Sequence, residues 1–193
     1  QSYQPFYGLG GELETGPRQE RLKRNCTIVS KHFSNVTRKN QIRIVDMGCN
    51  VGYVALLLAE IFPNTVGIDI NQHYVSMANA LAGRANSSAK FLKVDLMSIM
   101  ESGAEDLEQV DAVLLFNIVH QLIFARGLAY TRQFIHRLIS RVDVVFLELA
   151  NRTEYQSHPK GHLLPENPLA VLFDCVNAEV VTLVKGEGRT VCK

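Results

Sequence analysis

The chain has 193 residues, of which 47% are hydrophobic, and its 20 Lys plus Arg stand against 19 Asp plus Glu for a formal net charge of +1. That length suits one domain with a substantial core, and the near balance of charge argues against recognition of long nucleic acid or an anionic membrane surface by a global field. Apolar stretches are too short and interrupted to span a bilayer, and Cys26, Cys49, Cys175 and Cys192 lack C-x-x-C spacing, which fits a reducing, cytoplasmic setting rather than a zinc or disulfide framework.

Residues 1–20 are rich in Gly and Pro and read as an arm or lid, in which Tyr3, Phe6 and Tyr7 either cover a ligand or pin the arm to the core. Arg18 to Phe33 reads as a helix with Leu22, Cys26 and Val29 inward, and Arg18, Arg21, Lys23 and Arg24 mostly on a solvated face. This divides the chain into an N-terminal arm and helix on the lid or substrate side, 1–40, and a core, 41–193. Gln1 is no natural initiator, so the expectation is a fragment or trimmed piece of a longer, multidomain chain.

Ile42 to Phe62, IRIVDMGCNVGYVALLLAEIF, predicts a buried strand, a tight glycine turn and a helix that stops at Pro63. The turn runs Asp46-Met-Gly48-Cys49-Asn50-Val-Gly52. Its glycines would let backbone approach a ligand, and the helix start would offer unpaired N–H groups. No Gly-Lys-Ser/Thr follows, which excludes a Walker A loop, and G-x-G-x-x-G fails from Gly48 onward. Asn50 stands where another glycine would be expected, and asparagine tolerates φ > 0 better than most residues. Thr65 to Ile70 is a second strand ending in an acid, Asp69, where an open α/β sheet places a carboxylate for ribose hydroxyls.

Asn71 caps a helix running to about Arg84, with Tyr74, Val75, Met77, Ala78 and Leu81 inward. Lys90 to Leu96 is the third strand, and Asp95 at its end can also cap a helix over Met97 to Glu101. After a polar connection over 102–109, Val110 to Asn117 is a central strand ending in Asn117-Ile-Val-His120-Gln121, beyond the carboxyl end where ligands of open parallel sheets lie. Gly127 to Ser140 predicts a helix with Phe134, Ile135, Leu138 and Ile139 as its stripe, and Val142 to Leu149 a fifth strand. Residues 150–168 form a polar loop long enough to be functional. His158 and His162 lie at i, i+4, but Pro159 and Gly161 argue against the helix that would make them a metal pair. A helix over Leu169 to Val176 and an antiparallel hairpin, Glu179 to Lys185 and Gly188 to Lys193, complete the chain.

The D-x-G-x-N-x-G turn is one substitution from the D-x-G-x-G-x-G turn of class I S-adenosylmethionine (SAM) methyltransferases and, with Asp69, resembles that family. The resemblance implies a Rossmann-like α/β fold: a mostly parallel seven-stranded sheet with a C-terminal antiparallel hairpin and helices on both faces. It implies SAM held by Asp46, Gly48, Cys49, Asn50 and Gly52 of the turn, and by Asp69 with its neighbour Ile70. Asp95 with Leu96 would meet the adenine amino group, Arg21 the SAM carboxylate, and Tyr7 would cover the ligand. Asn117 would hold substrate or the SAM amino group.

Asn117 to Glu154, with His120, the Arg126-Gly127 pair, R-L-I-S-R and F-L-E-L-A, resembles the bifunctional kinase-methyltransferases that cap bacterial O-antigen polymannose. The run D-x-G-C-N-V-G is similar to that of RNA methylphosphate capping enzymes. Both groups can methylate a terminal phosphate, so the expected acceptor is an oxygen, of a terminal phosphate or sugar of a glycan. His120 would act as base or hydrogen-bond donor, since imidazole titrates near neutral pH. Glu148 is a weaker candidate, and Arg126, Arg152, Lys160 and His158 could rim an anion site. The alternatives are methylation of a small-molecule hydroxyl or amine or of RNA, and a noncatalytic SAM-fold scaffold. The N-P-P-Y/F motif of amide and adenine N-methylation is missing, because Asn117 is followed by Ile-Val-His.

Overall fold

A computed structural model describes residues 7–8, 17–101, 107, 109–150, 152–167, 182–186 and 189–192. The helix expected over 169–176 and most of the N-terminal arm, including Tyr3 and Phe6, lie outside the described residues. Seven strands, β1 (Arg43–Met47), β2 (Asn64–Asp69), β3 (Lys90–Lys93), β4 (Ala112–Phe116), β5 (Val144–Leu149), β6 (Thr182–Gly186) and β7 (Arg189–Cys192), form one sheet in the order β3-β2-β1-β4-β5-β7-β6. The first five are parallel, and β7 runs antiparallel to both β5 and β6. The chain winds outward from β1 to β3, then returns to place β4 on β1's other side. That reversal leaves a crevice above the carboxyl ends of β1 and β4.

Strand periodicity sorts the core into two faces. Ile44, Leu114, Phe116 and Phe146 face helices α1 (Pro17–His32) and α2 (Tyr53–Ala59), which contribute Leu22, Cys26, Val29, Val54 and Leu58. Met47, Val113, Leu115, Val145 and Leu147 face α5 (Val119–Arg126) and α6 (Leu128–Ile139), together with α4 (Leu96–Glu101). α3 (Gln72–Arg84) closes a third cluster around Phe91 and Cys49, and the side chain of Asn71 caps it by accepting from the His73 N–H at 2.9 Å. α1 packs on this core, with Leu22, Cys26 and Val29 buried in the layer over β1, β4 and β5. Among the described residues no helix is long and apolar enough to cross a membrane.

α5 has no counterpart in the sequence reading, which carried the segment after Asn117 as an irregular strand end. Val119, His120, Leu122, Ile123 and Phe124 are all buried, so the helix is apolar around most of its circumference and shows no 3.6-residue stripe. Gly127, at φ 82°, ends it and starts α6.

The turn glycines serve packing. Gly52 has φ 81°, and a Cβ there would lie 2.5 Å from the Phe91 ring; at Gly48, φ 75°, it would lie 2.9 Å from Ile118 Cδ1. The close approach expected for a ligand is occupied by the protein's own side chains. Gly52→Ala combines a left-handed backbone with overpacking, and is expected to cost about 3 kcal/mol in urea unfolding.

Candidate active site

Asp69 organises the turn. Its Oδ2 accepts from the Asn50 N–H at 2.9 Å and its Oδ1 from the Asn71 N–H at 2.8 Å. Asn50 takes φ 52°, and its own Oδ1 accepts from the Val51 N–H at 2.9 Å. The N–H groups of Gly48 and Cys49 both donate to Ile68 O, and Gly52 N–H donates to Cys49 O. All five N–H groups from Gly48 to Gly52 are therefore engaged inside the protein. A pyrophosphate would find none of these five donors available.

The charge at the turn has the opposite sign from a phosphate cradle. Asp46, one residue before the end of β1, is 3% exposed, accepts a hydrogen bond from the Ala55 N–H in the first turn of α2, and leaves Oδ2 buried without a hydrogen-bond partner among the described residues. Burial, with the neighbouring Asp69 charge adding and that hydrogen bond opposing, pushes its carboxyl up to about 7. A cation placed against Oδ2 would reverse much of that shift. Asp69 retains spare lone pairs, since a carboxylate accepts about four hydrogen bonds and two are used. Ile70, next to it, is 60% exposed, an apolar surface left at the crevice. A ligand that is cationic at one end, hydroxylated in the middle and apolar at the other matches this sequence of groups.

The other expected cofactor residues divide. The Cys49 side chain is core, fully buried against Ala55, Val75 and Phe91, and its thiol is raised by burial first and then by Asp46 and Asp69. Leu96 is buried, and Asp95 lies at the crevice side of β3 with Oδ1 accepting from the Met97 N–H at 2.9 Å, the helix-capping alternative. Tyr7 is pinned to α2: its hydroxyl donates to Glu60 Oε1, and its ring meets Tyr53 edge-on at 6.4 Å. Arg21, expected beside the glycine turn, instead lies against β5, with Nε 3.1 Å from Glu148 Oε1. The phase of α1 turns it that way, toward a buried carboxylate two strands from β1.

Asn117, directly after β4, takes φ 62°, an uncommon conformation for a residue with a side chain. His120 sits in the first turn of α5, 3% exposed, with Nε2 2.8 Å from the Tyr155 hydroxyl. Phe124 and Tyr155 enclose its ring, and His158 stacks on Phe124 at 4.6 Å. Tyr155 was missed by the sequence reading, although a lone aromatic in a polar loop was the available signal. The basic rim is tied down: Lys160 Nζ donates to Phe124 O at 2.8 Å, Arg152 pairs with Glu166 at 3.4 Å, and Arg126 lies over Tyr130 at 6.0 Å.

A family model described as a methyltransferase domain matches residues 44–139, from β1 through α6. Residues 44–139 are a methyltransferase domain. Its cofactor is SAM, which carries a sulfonium, an ammonium, ribose hydroxyls and an adenine, and so fits the unpartnered Asp46 oxygen, the Asp69 lone pairs and the exposed Ile70. The O-antigen chain terminator bifunctional methyltransferase/kinase WbdD of Escherichia coli is 24% identical over 150 residues, covering 77% of this chain and 21% of WbdD. A crystal structure of WbdD superposes with a TM-score of 0.80 at 21% identity, over 100% of this chain and 44% of that one. Magnesium protoporphyrin IX methyltransferase from Synechocystis PCC 6803 with bound SAM gives a TM-score of 0.63 at 16% identity, over 97% of this chain and 86% of that one. The chain spans about a fifth of the length of the curated relatives it matches.

The raised Asp46 carboxyl fixes the sign of a pH effect. Its contribution to stability is fully present below the ordinary carboxyl value of about 4 and is lost as pH rises through about 7. In thermal melts from pH 4.5 to 8.5, Asp46→Asn is expected to gain on the wild type as pH rises to about 7 and to hold that gain above it. Affinity for S-adenosylhomocysteine, which keeps the ammonium, should strengthen across the same range in the wild type and stay flat in the variant.

Proposed function

We propose that this methyltransferase transfers the methyl group to an oxygen acceptor, a terminal phosphate or sugar of a glycan. The observation that carries this reading is the match to an O-antigen chain terminator over three quarters of the chain. The absence of N-P-P-Y/F after β4 supports oxygen over amide or adenine nitrogen.

When bound, SAM supplies a methyl group on a positively charged sulfur. Asp46 would hold its ammonium, Asp69 its ribose hydroxyls, and Ile70 with Asp95 and Leu96 its adenine. Asn117, bent into the left-handed region at the end of β4, would orient acceptor and cofactor against each other. His120 would act through Tyr155. With its Nε2 protonated it would donate to the tyrosine oxygen, and the tyrosine O–H would in turn donate a hydrogen bond to an anionic acceptor phosphate; with the opposite tautomer the tyrosine would pass its proton to Nε2 as it takes one from an acceptor hydroxyl. Burial of His120 keeps bulk water from that exchange.

The test uses the full chain with labelled SAM and a phosphate-terminated oligosaccharide beside its dephosphorylated counterpart. Labelling of the phosphorylated acceptor alone supports the phosphate reading; labelling of both moves the acceptor to a sugar hydroxyl; labelling of neither overturns the proposal. His120→Ala and Tyr155→Phe are each expected to lower turnover about a hundredfold, with S-adenosylhomocysteine affinity within a factor of about three of wild type. Unchanged turnover in Tyr155→Phe would remove the pair from the mechanism.

A further inference from the structure

α1 carries a polar seam that neither its amphipathic pattern nor the cofactor site accounts for. Arg21, Asn25, Ile28 and His32 recur at i, i+4, i+7 and i+11, along one side of the helix beside the apolar stripe of Leu22, Cys26 and Val29. That side lies along β5: at the lower end the His32 ring is 5.6 Å from Phe146, and at the upper end Arg21 Nε is 3.1 Å from Glu148 Oε1. Asn25 lies between them in the helix, 0% exposed, and neither its Oδ1 nor its Nδ2 has a hydrogen-bond partner among the described residues. Nearly two turns earlier on the same helix, Gln19 is 4% exposed, and its Nε2 also has no hydrogen-bond partner among the described residues. Buried amides left this way are destabilising, by the full cost of removing each group from water.

Arg21 is held asymmetrically. Its Nε and Nη2 are buried, the former against Glu148, while the side chain as a whole keeps 20% of its exposure, so Nη1 is the nitrogen that reaches solvent. Glu148 pairs in register with Phe116 of β4, immediately before the strained Asn117, and has the same strand parity as Phe146, toward α1. The guanidinium is thus held against the end of β5, two strands across the sheet from Asp46 in β1. A carboxylate on one edge of an arginine leaves the fork's other edge oriented for a second planar or tetrahedral anion.

We propose that Arg21 binds the phosphoryl group of the acceptor, with Glu148 and Asn25 as positioning residues and Asn25 completing its hydrogen bonds only when that anion is present. This rests on the phosphate reading above and names the residues that recognise it. A purely structural pair would tie α1 to β5 and nothing more, and buried ion pairs of that kind contribute little net stability.

The experiment measures binding of inorganic phosphate to the full chain saturated with S-adenosylhomocysteine, by calorimetry, for wild type, Arg21→Lys, Glu148→Gln and Asn25→Ala. Arg21→Lys keeps the charge and loses the fork, and is expected to weaken phosphate at least tenfold with S-adenosylhomocysteine affinity unchanged. Asn25→Ala is expected to melt no lower than wild type, because two unpartnered buried atoms are removed, and still to bind phosphate several-fold more weakly. Glu148→Gln should weaken phosphate as the guanidinium loses its orientation. Equal loss of S-adenosylhomocysteine affinity in Arg21→Lys would assign Arg21 to the cofactor carboxylate and overturn the proposal while leaving the methyltransferase reading intact. Phosphate binding that is absent in wild type, or unchanged in Arg21→Lys and Asn25→Ala, overturns it as well. Failure of the wild type to bind S-adenosylhomocysteine would instead strike the cofactor site itself.

Discussion

One carboxylate holds the crevice open in its working shape. Asp69 ends β2, and its two oxygens reach in opposite directions along the chain, to the N–H of Asn50 in the glycine turn and to that of Asn71 at the start of α3. The turn is otherwise a left-handed, crowded segment, with φ positive at Gly48, Asn50 and Gly52 and with Phe91 and Ile118 filling the space beside the glycines. Without an acceptor at Asp69, the half-buried Asn50 N–H would lose this bond and the turn its anchor. The same residue sets the backbone on both sides of the crevice and, in the proposed reading, would meet the ribose, coupling cofactor recognition to the local fold.

The second constraint is the sign of the field. A turn whose N–H groups are all engaged and whose helix start faces a buried acid repels phosphate and accepts cations. That is the reverse of the dinucleotide and nucleoside triphosphate sites built on related sheets, where free backbone donors meet pyrophosphate. Strand order supplies the place for such a site, and the hydrogen bonding of one seven-residue turn decides what enters it. On the far side of Asn117 the polarity changes again, with Arg21 facing solvent through one nitrogen and the His120–Tyr155 pair beneath the polar loop.

Much of this was legible in the residues. Asp46, the glycines and Asp69 could be read because spacing in a strand-turn-helix unit is local, and β4 and β5 because strands buried on both faces lose alternation and become continuous apolar runs. α5 could not, since its near-uniform burial erases the period on which a helix is recognised. The ion-pair partner of Arg21 was not legible for a different reason. Its partner depends on which way β5 turns Glu148 and on the rotation of α1 about its own axis, and neither is encoded near Arg21. Cys49 was read as a ligand residue because it stands in the turn, yet the pleat that aims Asp46 at the crevice puts the Cys49 thiol into the third core cluster.

That inward thiol, and its neighbour across Asp46 at Cys26, carry a chemical consequence. Both are buried, and burial together with the Asp46 charge holds both well above the ordinary thiol range. Because the thiolate is the reactive species, the folded protein is protected from alkylating reagents and peroxide at these two positions. Reaction there requires α1 or the turn to open first, so the two sulfurs act as built-in clocks for breathing of the methyl-donor crevice.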